Sequence, residues 1–119
     1  MARILVVDDE AGMRETLVDI LEAAGYRVTS ASDGDGALRA VREEPVDIVL
    51  MDVQMPKKDG VTVLQQLRPP RPRVIMMTAY ALEDRLHAAV DANAFAILHK
   101  PFPVPRLLSL VADASQGAA

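Results

Sequence analysis

The 119-residue chain has no cysteine, no tryptophan and no long apolar run, and only two phenylalanines and two tyrosines. Without cysteine, disulfides, thiolate nucleophiles and cysteine-ligated zinc are excluded, as suits a reducing compartment. The opening MARILVV offers one basic residue and four apolar ones before DDE, far short of a secretion signal. No segment approaches the roughly 20 apolar residues of a membrane span. These absences lead to the expectation of a soluble, cytoplasmic protein with no membrane partner. A basic face is lacking too. The net charge is −4 and the densest basic stretch, RPPRPR at 68–73, reads as a loop, so no nucleic acid is expected as a partner of this domain. No G-x-G-x-x-G or P-loop follows the first apolar run, which removes the common nucleotide-binding signatures.

What is present is a globular composition, half hydrophobic and a quarter charged, in a length that makes one domain. That domain is expected over residues 1–115, with 116–119 a short frayed tail. Apolar runs at 3–7, 26–31, 46–51, 73–78 and 95–99 read as strands, and the second of them, YRVTSA, is polar enough for a sheet edge. Between them lie helical periods. Residues 11–24 place Met13, Leu17, Ile20, Leu21 and Ala24 on one face before Gly25, and 33–43 follow an N-cap at Asp33 or Ser32. Further helices are expected at 61–68, at 82–92 (Leu82, Leu86 and Val90 inward) and at about 105–114 (Leu107, Leu108 and Val111 inward). The order is (βα)5. Central strands that are apolar throughout belong to a parallel sheet covered by helices on both faces, a doubly wound α/β fold. Ligands of such folds bind beyond the carboxyl ends of the strands.

Four of the five runs end on polar groups: Asp8 and Asp9, Asp52, Thr78 and Lys100. In a parallel sheet all of these lie at one edge. Three carboxylates gathered there repel one another unless a cation joins them, and a hard divalent ion with oxygen ligands meets that need. A hydroxyl and an ammonium at the same edge suit a phosphoryl group, whose transfer depends on positioning and charge neutralisation. A carboxylate can itself be the nucleophile and give an aspartyl phosphate. Each residue alone has an ordinary use: acids favour helix entry, threonine caps or fills strands, and Asp59-Gly60 is a turn. Asp52 is the least ordinary, because burying a lone carboxylate after IVLM is costly.

The stretches VVDDE (6–10), LMDVQMPKKDG (50–60), MMTAY (76–80) and HKPF (99–102), in this order, resemble a receiver (phosphoacceptor) domain of the two-component response-regulator family from Arg3 to about Val111. The resemblance implies a flavodoxin-like five-stranded sheet of order 2-1-3-4-5. It implies Asp52 as phosphoacceptor, Asp8, Asp9, Asp52 and the Gln54 backbone carbonyl as ligands of Mg2+ (or Mn2+), and Thr78, Ala79 and Lys100 around the phosphoryl group, with Lys100-Pro101 cis. A histidine kinase or phosphotransfer protein would be the donor, a downstream protein the reader, and the domain a monomer or a phosphorylation-dependent dimer. It would catalyse only its own phosphorylation and dephosphorylation.

Two positions depart from the family pattern. Ile97 stands where an aromatic residue usually couples to the threonine, so an altered output switch is expected. Pro103-Val104-Pro105 replaces an acidic cap, and a delayed start of the last helix is expected. Tyr80 is expected to slow hydrolysis of the phosphate. Two alternative functions were weighed. An aspartate-nucleophile phosphatase would resemble DxDxT at the first strand end, whereas this chain has DDEAG there and Val53-Gln54 after Asp52. A phosphorylation-independent interaction module is the other, and it is Ile97 that keeps it open.

Overall fold

The computed structural model describes residues 2–55, 58–67, 72–79, 87 and 93–116. The elements are β1 (Arg3–Val7), α1 (Ala11–Ala23), β2 (Arg27–Ala31), α2 (Gly34–Glu43), β3 (Ile48–Asp52), α3 (Gly60–Gln66), β4 (Arg73–Thr78), β5 (Ala96–His99) and α4 (Val104–Gln116). The five strands form one sheet of order β2-β1-β3-β4-β5, and every pairing is parallel. The chain leaves β1 for β2 on one side and returns to β3 on the other. The order therefore reverses at the carboxyl ends of β1 and β3, where open α/β sheets make their binding crevice.

Alternation along the strands divides the core into two layers. Leu5, Val7, Val49, Met51 and Met76 pack with Ala37 of α2 and Val63 and Leu64 of α3. Ile4, Val6, Leu50, Ile75 and Met77 face the other way, onto Leu17 and Leu21 of α1 and Leu107 and Val111 of α4. Each of these buried valine, leucine, isoleucine and methionine side chains contributes about 1.5–3 kcal/mol. β2, at the edge, keeps only Val28 and Ala31 partly buried, as its polar sequence implies.

Helix ends follow local chemistry. α1 closes with Gly25 at φ 99°; the Gly25 N–H donates to the Glu22 carbonyl at 2.9 Å and the Tyr26 N–H to the Leu21 carbonyl at 3.1 Å. That pairing is the Schellman arrangement, for which glycine is the favoured residue. Of the two caps considered for α2, Asp33 serves: its Oδ1 accepts the Gly36 N–H at 2.7 Å. The expected delay of the last helix is not observed. α4 starts at Val104, and the Pro103 carbonyl accepts from the Arg106 and Leu107 N–H groups at 3.0 and 3.3 Å. Pro105 lies in the first turn, where its missing N–H has no intrahelical partner to lose. α4 also runs through Gln116, into the expected tail. The helix expected at 82–92 lies outside the described residues except for His87, as does Tyr80. Among the described residues, no helix is long and apolar enough to cross a membrane.

Candidate functional site at the carboxyl edge of the sheet

Sheet register brings the polar strand ends together. Val7 pairs with Met51, so Asp8 and Asp52 each stand one residue beyond the same level. Thr78 pairs with His99, which puts Lys100 one residue past Thr78, and the Lys100 N–H donates to the Thr78 carbonyl at 2.7 Å. Carboxylate oxygens of Asp8, Asp9 and Asp52 all lie within 4.8 Å of one another. Asp8 is buried, Asp52 half-buried and Asp9 exposed, so the acids form a pocket with a closed floor and an open mouth.

Lys100 spans that pocket. Its Nζ is 2.9 Å from Asp52 Oδ2 and 3.3 Å from Asp8 Oδ2. Burial acts to lower the lysine pKa, but the hydrogen bond to Asp52 and the charges of Asp52 and Asp8 outweigh it, and the result lies above the ordinary 10.5. The ammonium is thus charged at neutral pH and offsets part of the repulsion among the acids. The Lys100-Pro101 peptide bond is cis, as the resemblance implied.

Backbone groups donate to the other carboxylate oxygen of Asp8 and of Asp52. The Glu10 N–H donates to Asp8 Oδ1 at 2.9 Å and the Gln54 N–H to Asp52 Oδ1 at 3.0 Å, so each carboxylate is also held by the backbone two residues on. Thr78 is buried at the end of β4 and Ala79, next to it, is exposed. Asp8, Asp9, Asp52, Gln54, Thr78, Ala79 and Lys100 are therefore all at this edge. The donor set is hard oxygen, carries more negative charge than Lys100 alone neutralises, and opens to solvent at Asp9. It fits a divalent cation such as Mg2+, which binds through one or two carboxylates and keeps positions for water and phosphate oxygens.

Two contacts were not read from the sequence. Asp59-Gly60, taken as a turn only, caps α3 through Asp59 Oδ1 and the Thr62 N–H at 2.8 Å, and the Gly60 N–H donates to the Val53 carbonyl at 2.8 Å. A side chain at position 60 would strike the Asp52 carbonyl oxygen, which makes glycine there part of the phosphoacceptor candidate's surroundings. Arg14 of α1 donates from Nη1 to the Asp8 carbonyl at 2.7 Å. The signal that could have found it is a cation in the first turn of a helix, where the dipole disfavours one. Ile97 is partly buried and packs against the core layer shared with α2 and α3.

Residues 4–112 match the family described as the response regulator receiver domain. The chain is 36% identical over 112 residues to the chemotaxis protein CheY of Bacillus subtilis (strain 168), covering 92% of this chain and 93% of that protein. It is 33% identical over 111 residues to the transcriptional regulatory protein PdtaR of Mycobacterium tuberculosis (strain CDC 1551 / Oshkosh), covering 92% of this chain but only 54% of that relative, so it spans about half its length. Among solved structures, a CheY-like response regulator receiver domain protein from Methanospirillum hungatei JF-1 superposes with a TM-score of 0.91 at 29% identity, covering 99% of this chain and 96% of that one.

Proposed function

Because the chain belongs to the response regulator receiver family of two-component systems, we propose that it is a phosphorylation switch with Asp52 as the phosphoacceptor. An oxygen of the Asp52 carboxylate attacks phosphorus of a phosphohistidine on a kinase or phosphotransfer protein, or of a small phosphodonor. The new O–P bond forms as the donor's P–N or P–O bond breaks, and the leaving group keeps the electron pair. Asp8, Asp9, Asp52 and the Gln54 carbonyl would hold Mg2+. When bound, such an ion neutralises the carboxylates and the charge on the phosphoryl oxygens.

The chain's own groups have defined parts in this reading. Lys100, already on Asp52, follows the developing charge to a phosphoryl oxygen. The Thr78 hydroxyl donates to another. Ala79, small and exposed, leaves room for the group to enter. A family relative of this kind acts as a signal transducer, and the modified domain is read by a downstream protein through a shift in conformational population.

The observation that carries the reading is the lysine bridging two of three clustered carboxylates at the switch point of the sheet. The test is incubation with acetyl phosphate, with and without Mg2+, followed by intact mass spectrometry. A Mg2+-dependent gain of one phosphoryl group, absent in Asp52→Ala, is expected. If folded protein gains nothing from acetyl phosphate or from a histidine kinase, the reading fails and a phosphorylation-independent interaction module takes its place.

A further inference from the structure

Asp8 is the most enclosed acid of the pocket, 1% exposed, and all four of its polar atoms have partners. Its N–H donates to the Ala31 carbonyl at 3.3 Å, Oδ1 accepts from the Glu10 N–H at 2.9 Å, and Oδ2 accepts from Lys100 at 3.3 Å. The shortest of the four contacts is the one from Arg14 Nη1 to the carbonyl oxygen, at 2.7 Å. That carbonyl belongs to the peptide unit between Asp8 and Asp9. Its plane sets the direction in which the Asp9 side chain leaves the backbone, because the peptide is rigid and only φ and ψ can turn.

Arg14 is well placed to fix this plane. Its backbone N–H donates to the Glu10 carbonyl at 3.0 Å, the first intrahelical bond of α1, and its side chain reaches back past Glu10 to Asp8. Glu10 stands at the cap position but makes no side-chain cap bond. Among the described hydrogen bonds, two side chains join the start of α1 to the end of β1: that of Asp8, which reaches only the cap residue Glu10, and that of Arg14, which reaches back from within the helix. Helix stability does not account for the arrangement, since a guanidinium in a first turn opposes the helix dipole.

We propose that Arg14 is a positioning residue for the acidic pocket: by holding the Asp8-Asp9 peptide it directs both carboxylates, and so sets the affinity of the pocket for Mg2+. The inference rests on the Mg2+ site of the preceding reading. Its direction is distinctive. Loss of a nearby positive charge alone would strengthen cation binding by three acids. Loss of positioning weakens it.

The experiment is calorimetric titration of the full chain with MgCl2, without phosphodonor, on wild type, Arg14→Met and Arg14→Lys, with a thermal melt of each. Arg14→Met keeps the length and removes the donor; its Mg2+ affinity is expected to fall about tenfold, the lower end for partners that orient metal ligands. Arg14→Lys, with a charge and a donor but no planar fork, is expected to return to within about threefold of wild type. Should Arg14→Met fail to fold, Arg14→Leu, which also lacks a donor, takes its place with the same expectation. Equal or tighter binding by a folded variant overturns the inference while leaving the Mg2+ site standing. A wild-type chain that does not bind Mg2+ overturns the site itself, and this inference with it.

Discussion

Gly60→Ala is a substitution for which helix propensity and the site geometry give opposite signs. Gly60 is the first residue of α3, and alanine in a helix interior is favoured over glycine by about 1 kcal/mol, less at the end of one. A methyl at position 60, however, would overlap the Asp52 carbonyl oxygen, and would lie 2.8 Å from Met76 Cε and 3.1 Å from Val53 Cα. The methionine can swing away; the two backbone atoms belong to the end of β3 and the loop after it, and must move. Forced overpacking of this kind costs about 1–3 kcal/mol, and the middle of that range less a propensity gain of roughly 0.5 kcal/mol leaves an expected net loss of about 1–2 kcal/mol. For a chain between the small and mid-sized domains, roughly 4 °C of melting temperature per kcal/mol, the midpoint should fall by roughly 4–8 °C. Thermal unfolding followed by far-ultraviolet circular dichroism measures it. Gly12→Ala in α1 is the control, because a methyl there meets nothing within 4 Å and should stabilise or do no harm. A Gly60→Ala midpoint equal to or above wild type would refute the close approach of α3 to Asp52.

Two further substitutions separate structure from chemistry at the site. Asp9→Asn, at an exposed position, should change stability by no more than about 0.5 kcal/mol, whereas Asp8→Asn, buried and bonded to Lys100, should cost about 1–3 kcal/mol. Calorimetric titration should find Mg2+ binding weakened in both, and urea unfolding that ranks Asp9→Asn as the more damaged would count against the burial argument. For output, phosphorylated wild type is expected to shift amide resonances of β5 and α4 less than phosphorylated Ile97→Tyr does, and larger shifts in wild type would show that position 97 does not limit the switch.

Most of the fold was legible because its signals are local and redundant. The apolar runs at 3–7 and 73–78 coincide with β1 and β4, Gly25 ends α1 as read, and Asp33 caps α2. The site residues were legible because a parallel sheet converts strand-end positions into one cluster, whatever the loops do. What escaped was long-range in character. The alignment of Thr78 with His99, the Arg14 reach to a carbonyl and the closeness of Gly60 to Asp52 depend on packing of whole elements, and a single sequence carries no measure of those distances. The proline pair at 103 and 105 is misleading for a different reason. Two prolines at a helix start suggest a postponed helix, whereas the first turn has spare N–H positions that proline can occupy at no loss.

The apolar filling of both sheet faces has a consequence for folding accuracy. In a sheet wet on one side, sliding a strand by one residue exposes its greasy face, and the error is costly at once. Here β3 carries Val49 and Met51 to one layer and Ile48 and Leu50 to the other, so a slipped strand would still find oil above and below. Composition along the strand cannot tell the right alignment from its neighbour. The strand end can: moved back one place, Asp52 would sit at the level of Met51, away from Lys100, and a carboxylate sealed there without a partner costs several kcal/mol. The acids at the rim thus act as end stops for β1 and β3, marking where those two strands halt.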